Sequence, residues 1–187
     1  TKIIKKADKV FGPGNQYVAE AKKQLFGVIG IDLPAGPSEV LVIANNKSNP
    51  SWIAYDVLAQ GEHDPNAKTY VVSKNKNILI KVRNELKKNM KDKKIRNVDQ
   101  SIKNNCNLIL AKSQKEIYEI SNFIAPEHLH IHEKFNKNIL KKIVNAGSVF
   151  VGERSPVALG DYTMGTNHVL PTDQAAKFSS GLGVEDY

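Results

Sequence analysis

Between residues 38 and 152 short apolar runs alternate with longer stretches of helical periodicity, and this rhythm constrains the fold more than any other feature. "EVLVIA" (39–44) is a continuous apolar run ended by Asn, Ser and Pro, the pattern of a strand covered on both faces. "NPSWIAYDVLAQGEH" follows, with Asn49 placed to cap a helix and Pro50 at its first position. "KTYVVS" (68–73) reads as the next strand. Residues 74–96 then read as a helix with Ile78, Val82, Leu86 and Met90 on one stripe. "NLILA" (107–111) is a strand, and Ser113 caps a helix carrying Ile117, Ile120 and Ile124. "EHLHIH" (127–132) is a strand, 134–145 a helix and "SVFVG" (148–152) a last strand. Strands joined by helical crossovers pair in parallel, so the pattern predicts an α/β fold with a doubly wound, Rossmann-like parallel sheet.

The two ends depart from this rhythm. Residues 10–36 hold a glycine-rich turn, a helix and a second tight turn. Residues 153–187 have little periodicity but are dense in Gly, Ser, Thr, Asp and His. A three-part division at 36/37 and 152/153 is the resulting expectation.

Charge needs an explanation, because the chain carries a formal +8. Residues 74–96 hold ten Lys or Arg against Glu85 and Asp92, a surplus that equals the charge of the whole chain. A solvated basic helix is the plainer reading, since no aromatic residues alternate with these lysines as a single-strand stacking groove requires. No nucleic-acid partner is therefore expected. No run reaches the roughly 18 apolar residues of a membrane helix. No charged-then-apolar leader opens the chain. Cys106 is the single cysteine, which excludes an internal disulfide and a thiolate zinc cage. A reducing, cytoplasmic setting is the expectation.

Three polar clusters are candidates for chemistry, and α/β sheets place such groups beyond the carboxyl ends of their strands. In "AQGEHDP", Gln60 and His63 lie three apart near a helix end and can share one face and one metal ion. His63 could equally serve its own helix terminus through the macrodipole. In "GDYTMGTNHVLPT", Asp161 and His168 lie in a loop too glycine-rich for a helix, either as a site or as an ordinary Asp-capped turn. The third cluster is "IAPEHLHIH", which holds three of the five histidines. Strand periodicity puts His128, His130 and His132 on one face. Burying three unpaired rings is expensive, so His130 and His132 are expected near an exposed strand end or a partner surface. Zinc ligation by that pair is a minor alternative. Glu127 and His128 follow Ala125-Pro126, where irregular backbone lets an adjacent acid and base divide proton transfer.

Set side by side, "GPGNQYVAEAK", "IDLPAGPSEVLVIA", "AQGEHDP", "APEHL", "NAGSVFVG" and "GDYTMGTNHVLPT" resemble the histidinol dehydrogenase family, in the family's order across residues 11–172. The resemblance implies a zinc-dependent homodimer that oxidises L-histidinol through L-histidinal to L-histidine with two NAD+ and water. It implies Gln60, His63 and Asp161 as zinc ligands, His128 as general base and Glu127 as the base that activates water. Ser38 and His168, with Gln60, His63, His128 and Asp161, would contact substrate, and Asn15 would contact NAD. "GPGN" is not the GxGxxG fingerprint, so NAD enters through the resemblance alone. Residues 1–36 would be a remnant of the NAD-binding region. The family chain is more than twice this length, and its C-terminal segment adds a histidine ligand and a glutamate across the dimer. With three of four ligands, this stretch alone is expected to bind zinc weakly and turn over little substrate. A zinc hydrolase using Glu127, without nicotinamide, and a basic nucleic-acid-binding domain are the competing readings.

Overall fold

The computed structural model describes residues 5–34, 36–91, 98–133 and 137–187. At the amino end, β1 (Lys9–Val10) and β2 (Gly30–Ile31) form a small parallel pair joined through α1 (Gln16–Leu25). Asn15 caps α1, its side-chain oxygen accepting the Tyr17 and Val18 N–H groups at 3.1 and 3.2 Å. A buried ion pair, Lys22 to Asp32 at 2.5 Å, pins the turn before the helix, because Lys22 donates to the Gly12 carbonyl and Asp32 accepts the Gly12 N–H at 2.7 Å. Burial pushes the Asp32 carboxyl up, but hydrogen bonds from Lys22, Gly12 and Leu33 outweigh it and hold it below the usual carboxylate range.

The main sheet contains β3 (Glu39–Ile43), β4 (Lys68–Ser73), β5 (Cys106–Leu110), β6 (His128–Ile131) and β7 (Ser148–Val151). Its order is β5-β4-β3-β6-β7, all parallel, so the connections wind outward from β3 in both directions. The crossovers carry α2 (Pro50–His63), α3 (Lys76–Asn89), α4 (Val98–Asn105), α5 (Gln114–Ile124) and α6 (Lys137–Leu140). Two cores result from the period-two alternation of the strands. Val40 and Val42 pack with Ile53, Val57, Ile78, Val82 and Leu86 on the face of α2 and α3. Leu41, Ile43, Leu129 and Ile131 pack with Ile117 and Ile139 on the face of α5 and α6. The expected doubly wound parallel sheet is present.

Three expectations need correction. The helix read over 134–145 is confined to Lys137–Leu140, with 134–136 outside the described residues. Asn122 of α5 explains the early stop. Its oxygen accepts the Val144 and Asn145 N–H groups at 2.9 and 3.3 Å, while its amide donates to the Lys142 carbonyl at 2.8 Å. Backbone groups that a longer helix would have paired internally are bonded to another element instead. The lysine-rich helix ends at Asn89, with Met90 as its cap; Met90 still packs against the same core as Ile78, Val82 and Leu86, and residues 92–97 lie outside the described residues. Helix α4 was not anticipated. It buries only Val98, Ser101 and Ile102, and Ser101 donates to the Gly61 carbonyl of α2 at 2.7 Å.

Candidate active site

A cavity of about 240 Å³ opens beside the amino ends of β3 and β6, not at the carboxyl ends where ligands of α/β sheets usually bind. Ser38 immediately precedes β3 and Glu127 immediately precedes β6. Gln60 and His63 come from the last turn of α2, which runs back from β3 and so ends at this edge of the sheet. Asp161 ends a 3-10 turn over Val157–Asp161, a tighter element than the open loop expected there. Ser38, Gln60, His63, Glu127, His128, Asp161 and His168 all line this one cavity.

Glu127 and His128 are held by the first residue of the central strand. The Glu127 carboxylate accepts the Glu39 N–H at 3.0 Å, and the His128 Nδ1 faces the Glu39 carbonyl at 3.2 Å. A carbonyl only accepts, so Nδ1 carries the hydrogen and Nε2 keeps its lone pair. The carboxylate lies 3.6 Å from Nδ1, outside hydrogen-bond reach, and does not compete for that hydrogen. Burial raises the Glu127 carboxyl to about 7, helped by the charges of Glu39 and Asp161 and opposed by hydrogen bonds from Glu39 and Ser38. Burial also lowers the His128 imidazole below its ordinary value, against the hydrogen bond to Glu39 and the Asp161 charge. One group is thus a basic carboxylate and the other a neutral imidazole near pH 7.

The backbone that sets this pair is irregular. Ala125, the C-cap of α5, is left-handed at φ 49° although it has a side chain, and Pro126 follows it. Gly147 lies beneath: a Cβ there would sit 2.6 Å from the Glu127 carbonyl oxygen. Sequence reasoning missed both Glu39 and Gly147. Glu39 acts through its main chain, which no side-chain pattern reveals, whereas the glycine ahead of "SVFVG" was a visible signal of close approach.

The donors suit zinc. Gln60 is buried and lines the cavity, and its side-chain amide has no hydrogen-bond partner among the described residues. His63 and Asp161 are exposed towards the same space, and His168 Nδ1 lies 3.1 Å from the Asp161 carboxylate. An amide oxygen, an imidazole and a carboxylate braced by a second histidine form an N/O set of the kind zinc accepts. Asn15 is placed differently. Its oxygen is used in the cap of α1, while its neighbours Gly12, Pro13 and Gly14 line the cavity.

His130 and His132 are not at an exposed end. Each is about 1% exposed, under α2, where His130 Nδ1 meets Asp56 at 2.5 Å. The carboxylate of Asp56 supplies the partner that makes this burial tolerable.

A family model described as histidinol dehydrogenase matches residues 1–187. The chain belongs to the histidinol dehydrogenase family. Relatives of that name from Listeria monocytogenes and Methanococcus maripaludis are each 45% identical over the whole chain. The chain spans 44% of the length of either relative. The crystal structure of histidinol dehydrogenase from Elizabethkingia anophelis superposes with a TM-score of 0.92 at 40% identity, covering 100% of this chain and 43% of that one. A gamma-glutamyl phosphate reductase from Thermotoga maritima shares the fold alone, at TM-score 0.52 and 13% identity over 79% of the chain. Among the described residues no helix is long and apolar enough to cross a membrane.

Proposed function

We propose that this cavity serves a zinc-dependent, NAD-coupled oxidation of L-histidinol through L-histidinal to L-histidine, carried out by a homodimer. The observation that carries the reading is the gathering of seven side chains, from Ser38 to His168, around one cavity in a histidinol dehydrogenase family chain.

His128 is the base of both oxidations. Its free Nε2 takes the hydroxyl proton of the alcohol as hydride leaves the same carbon, and later that of the hydrated aldehyde. A neutral imidazole with Nδ1 already committed to Glu39 is poised for this without a tautomer change. Glu127 takes a proton from the water that adds to the aldehyde carbon, and a carboxyl raised to about 7 is a stronger base than an ordinary one. The hydrogen bond from Ser38 to Glu127 keeps that group from rising further and aims it. Gln60, His63 and Asp161 would hold zinc, which when bound supplies Lewis acidity and orients the substrate's polar groups. NAD, when bound, supplies the hydride acceptor. Asn15 has only its amide NH2 left to offer the cofactor, because its oxygen caps α1. Ser38 and His168 contact the substrate.

The test is made at the full length of the relatives: NADH formation from L-histidinol, with and without a zinc chelator, in wild type and His128→Ala. Chelator-sensitive NADH formation, lost in the variant, is the expected result. Absence of NADH at any zinc level, or hydrolysis that proceeds without NAD, would reject the proposal.

A further inference from the structure

Asp56, His130 and His132 form a second group of donors, of which only Asp56 also lines the cavity. Their carboxylate and ring nitrogens lie within 4.8 Å of one another, and all three residues are buried. Ring hydrogens can be assigned from the partners. His130 Nε2 faces the Gly152 carbonyl at 2.8 Å, so Nε2 carries a hydrogen. Its Nδ1 faces Asp56 at 2.5 Å, so one proton is shared between that nitrogen and the carboxylate. His132 has no such arrangement. Neither of its ring nitrogens has a partner among the described residues, although it is 1% exposed and its ring lies 4.2 Å from that of His130. A buried, unbonded imidazole is costly unless something else bonds it.

We infer that Asp56, His130 and His132 make up a second metal site, for one divalent ion of the zinc class. Two imidazoles and one carboxylate without thiolate are a donor set that such ions accept, with water completing the shell. The His130 Nε2–H to Gly152 carbonyl bond is the outer contact that metal-bound histidines ordinarily make, and it turns Nδ1 towards Asp56. Burial and the neighbouring His130 push the His132 imidazole down to about 3, so its lone pair is free at neutral pH. Binding exchanges the proton shared by Asp56 and His130 for the ion, and that proton goes to solvent.

Placement agrees with this chemistry. β3 and β6 are neighbours whose connections leave in opposite directions, and their carboxyl ends form the switch point at which α/β sheets usually collect ligands. His132 lies there, its N–H donating to the Ile43 carbonyl at 2.9 Å. Asp56 stands one helical turn before Gln60 and also lines the cavity wall.

The test uses the whole chain and zinc alone. Histidine side-chain 15N resonances are followed during titration with Zn2+, in wild type and in His63→Ala, which disables the cavity donors. The expected result is a shift of the His130 Nδ1 and a His132 ring nitrogen to metal-bound positions in both proteins. His132→Gln should lower tightly held zinc, counted by atomic emission after dialysis, by one ion per chain. His130 and His132 nitrogens unmoved at saturating zinc would overturn the inference, whether or not His63 responds, as would an unchanged zinc count in His132→Gln. The His63 signal reports the cavity donors separately, so the failure of one site is not mistaken for the failure of the other.

Discussion

The two ends of β6 carry histidines on one face of one strand, yet they are built for opposite tasks. At the amino end, His128 is partly open to a cavity and shares the Glu39 main chain with Glu127. At the carboxyl end, His130 and His132 are sealed beneath α2 with Asp56. Depth under a helix, rather than residue type, decides which imidazole faces the cavity. The contrast also appears in how each end responds to pH. Glu127 has a folded-state pKa raised from 4.5 to about 7, so the stability it contributes is complete below 4.5 and lost as pH rises through 7. His132 has a folded-state pKa lowered from 6.5 to about 3, so its contribution is complete above 6.5 and lost as pH falls through 3. One end of the strand is stressed by alkali and the other by acid.

The largest break in this comparison should come from His128→Ala. General-base catalysis contributes roughly 10²–10⁴-fold, and a loss of that order in kcat for histidinol oxidation is expected at the relatives' full length. The fold should survive, because the ring is 20% exposed and its main anchor is a single hydrogen bond to Glu39. A variant retaining more than a tenth of wild-type kcat would move the base elsewhere.

Glu127→Gln separates chemistry from stability at the same end. Oxidation of added L-histidinal should fall by about 10²-fold or more, and more than the first oxidation, because only the second needs hydrated aldehyde. The same substitution removes a carboxylate that is costly to ionise in place. At pH 8 it should stabilise the chain by about 2–3 kcal/mol, with no gain at pH 4 where the wild-type carboxyl is already neutral. Denaturant midpoints at both pH values measure this. A gain at pH 4 equal to that at pH 8 would show that Glu127 is not held neutral by its surroundings.

At the other end, His132→Leu should act in the opposite direction. Between pH 7 and 4 the wild type should lose about 2–3 kcal/mol in zinc-free buffer as the unfolded imidazole takes up a proton that the folded one refuses. His130 and Asp56 are the titratable groups that face it, and both remain in the variant. The leucine variant should therefore keep only the acid dependence of its other groups, and parallel pH curves for the two proteins would contradict the assignment.

How much of this was legible in the sequence depends on the distance over which a residue acts. Apolar runs and local caps act over a few positions, and β3 to β7, the Asn49 cap and the Ser113 cap follow directly from them. The end of α6 is set by Asn122, about twenty positions away, and nothing in 134–145 announces it. Periodicity put the three histidines on one face correctly, but a period of two carries no information about depth, so His130 and His132 were misplaced at an exposed end. Helical spacing pairs Gln60 with His63, but Asp161 lies about a hundred residues further on and is joined to them through family resemblance alone, because no spacing rule reaches that far. The cavity's position at the amino ends of the strands was hidden for a related reason. It depends on how the segments before β3 and after β7 fold back, and those segments lack periodicity.

Gly147→Ala sharpens the comparison at its source, since the backbone beneath Glu127 is what makes the amino end irregular. A methyl group 2.6 Å from the Glu127 carbonyl oxygen cannot be accommodated without moving main chain. The neighbouring bonds, Gly147 N–H to Pro126 and Ser148 N–H to Glu127, at 3.0 and 2.8 Å, would shift with it. A destabilisation of about 1–3 kcal/mol is expected, with a fall in kcat and little change in KM. If KM rises while kcat holds, Gly147 shapes substrate binding instead of the acid–base pair.

The smallest effect belongs to Asn15, where two roles must be told apart. As the cap of α1 it satisfies two N–H groups, and Asn15→Ala should cost about 1 kcal/mol. As a contact to NAD it can offer only the amide NH2, which Asn15→Asp deletes while keeping an oxygen to cap the helix. Aspartate is as good an N-cap as asparagine, and its charge suits the positive end of the helix, so stability should hold or rise slightly. Its charge would at the same time oppose an anionic dinucleotide. An aspartate variant with unchanged stability and a several-fold higher KM for NAD assigns both roles to Asn15. Unchanged stability with unchanged KM leaves it a helix cap alone, and the glycine turn that precedes it becomes the place to look for cofactor contacts.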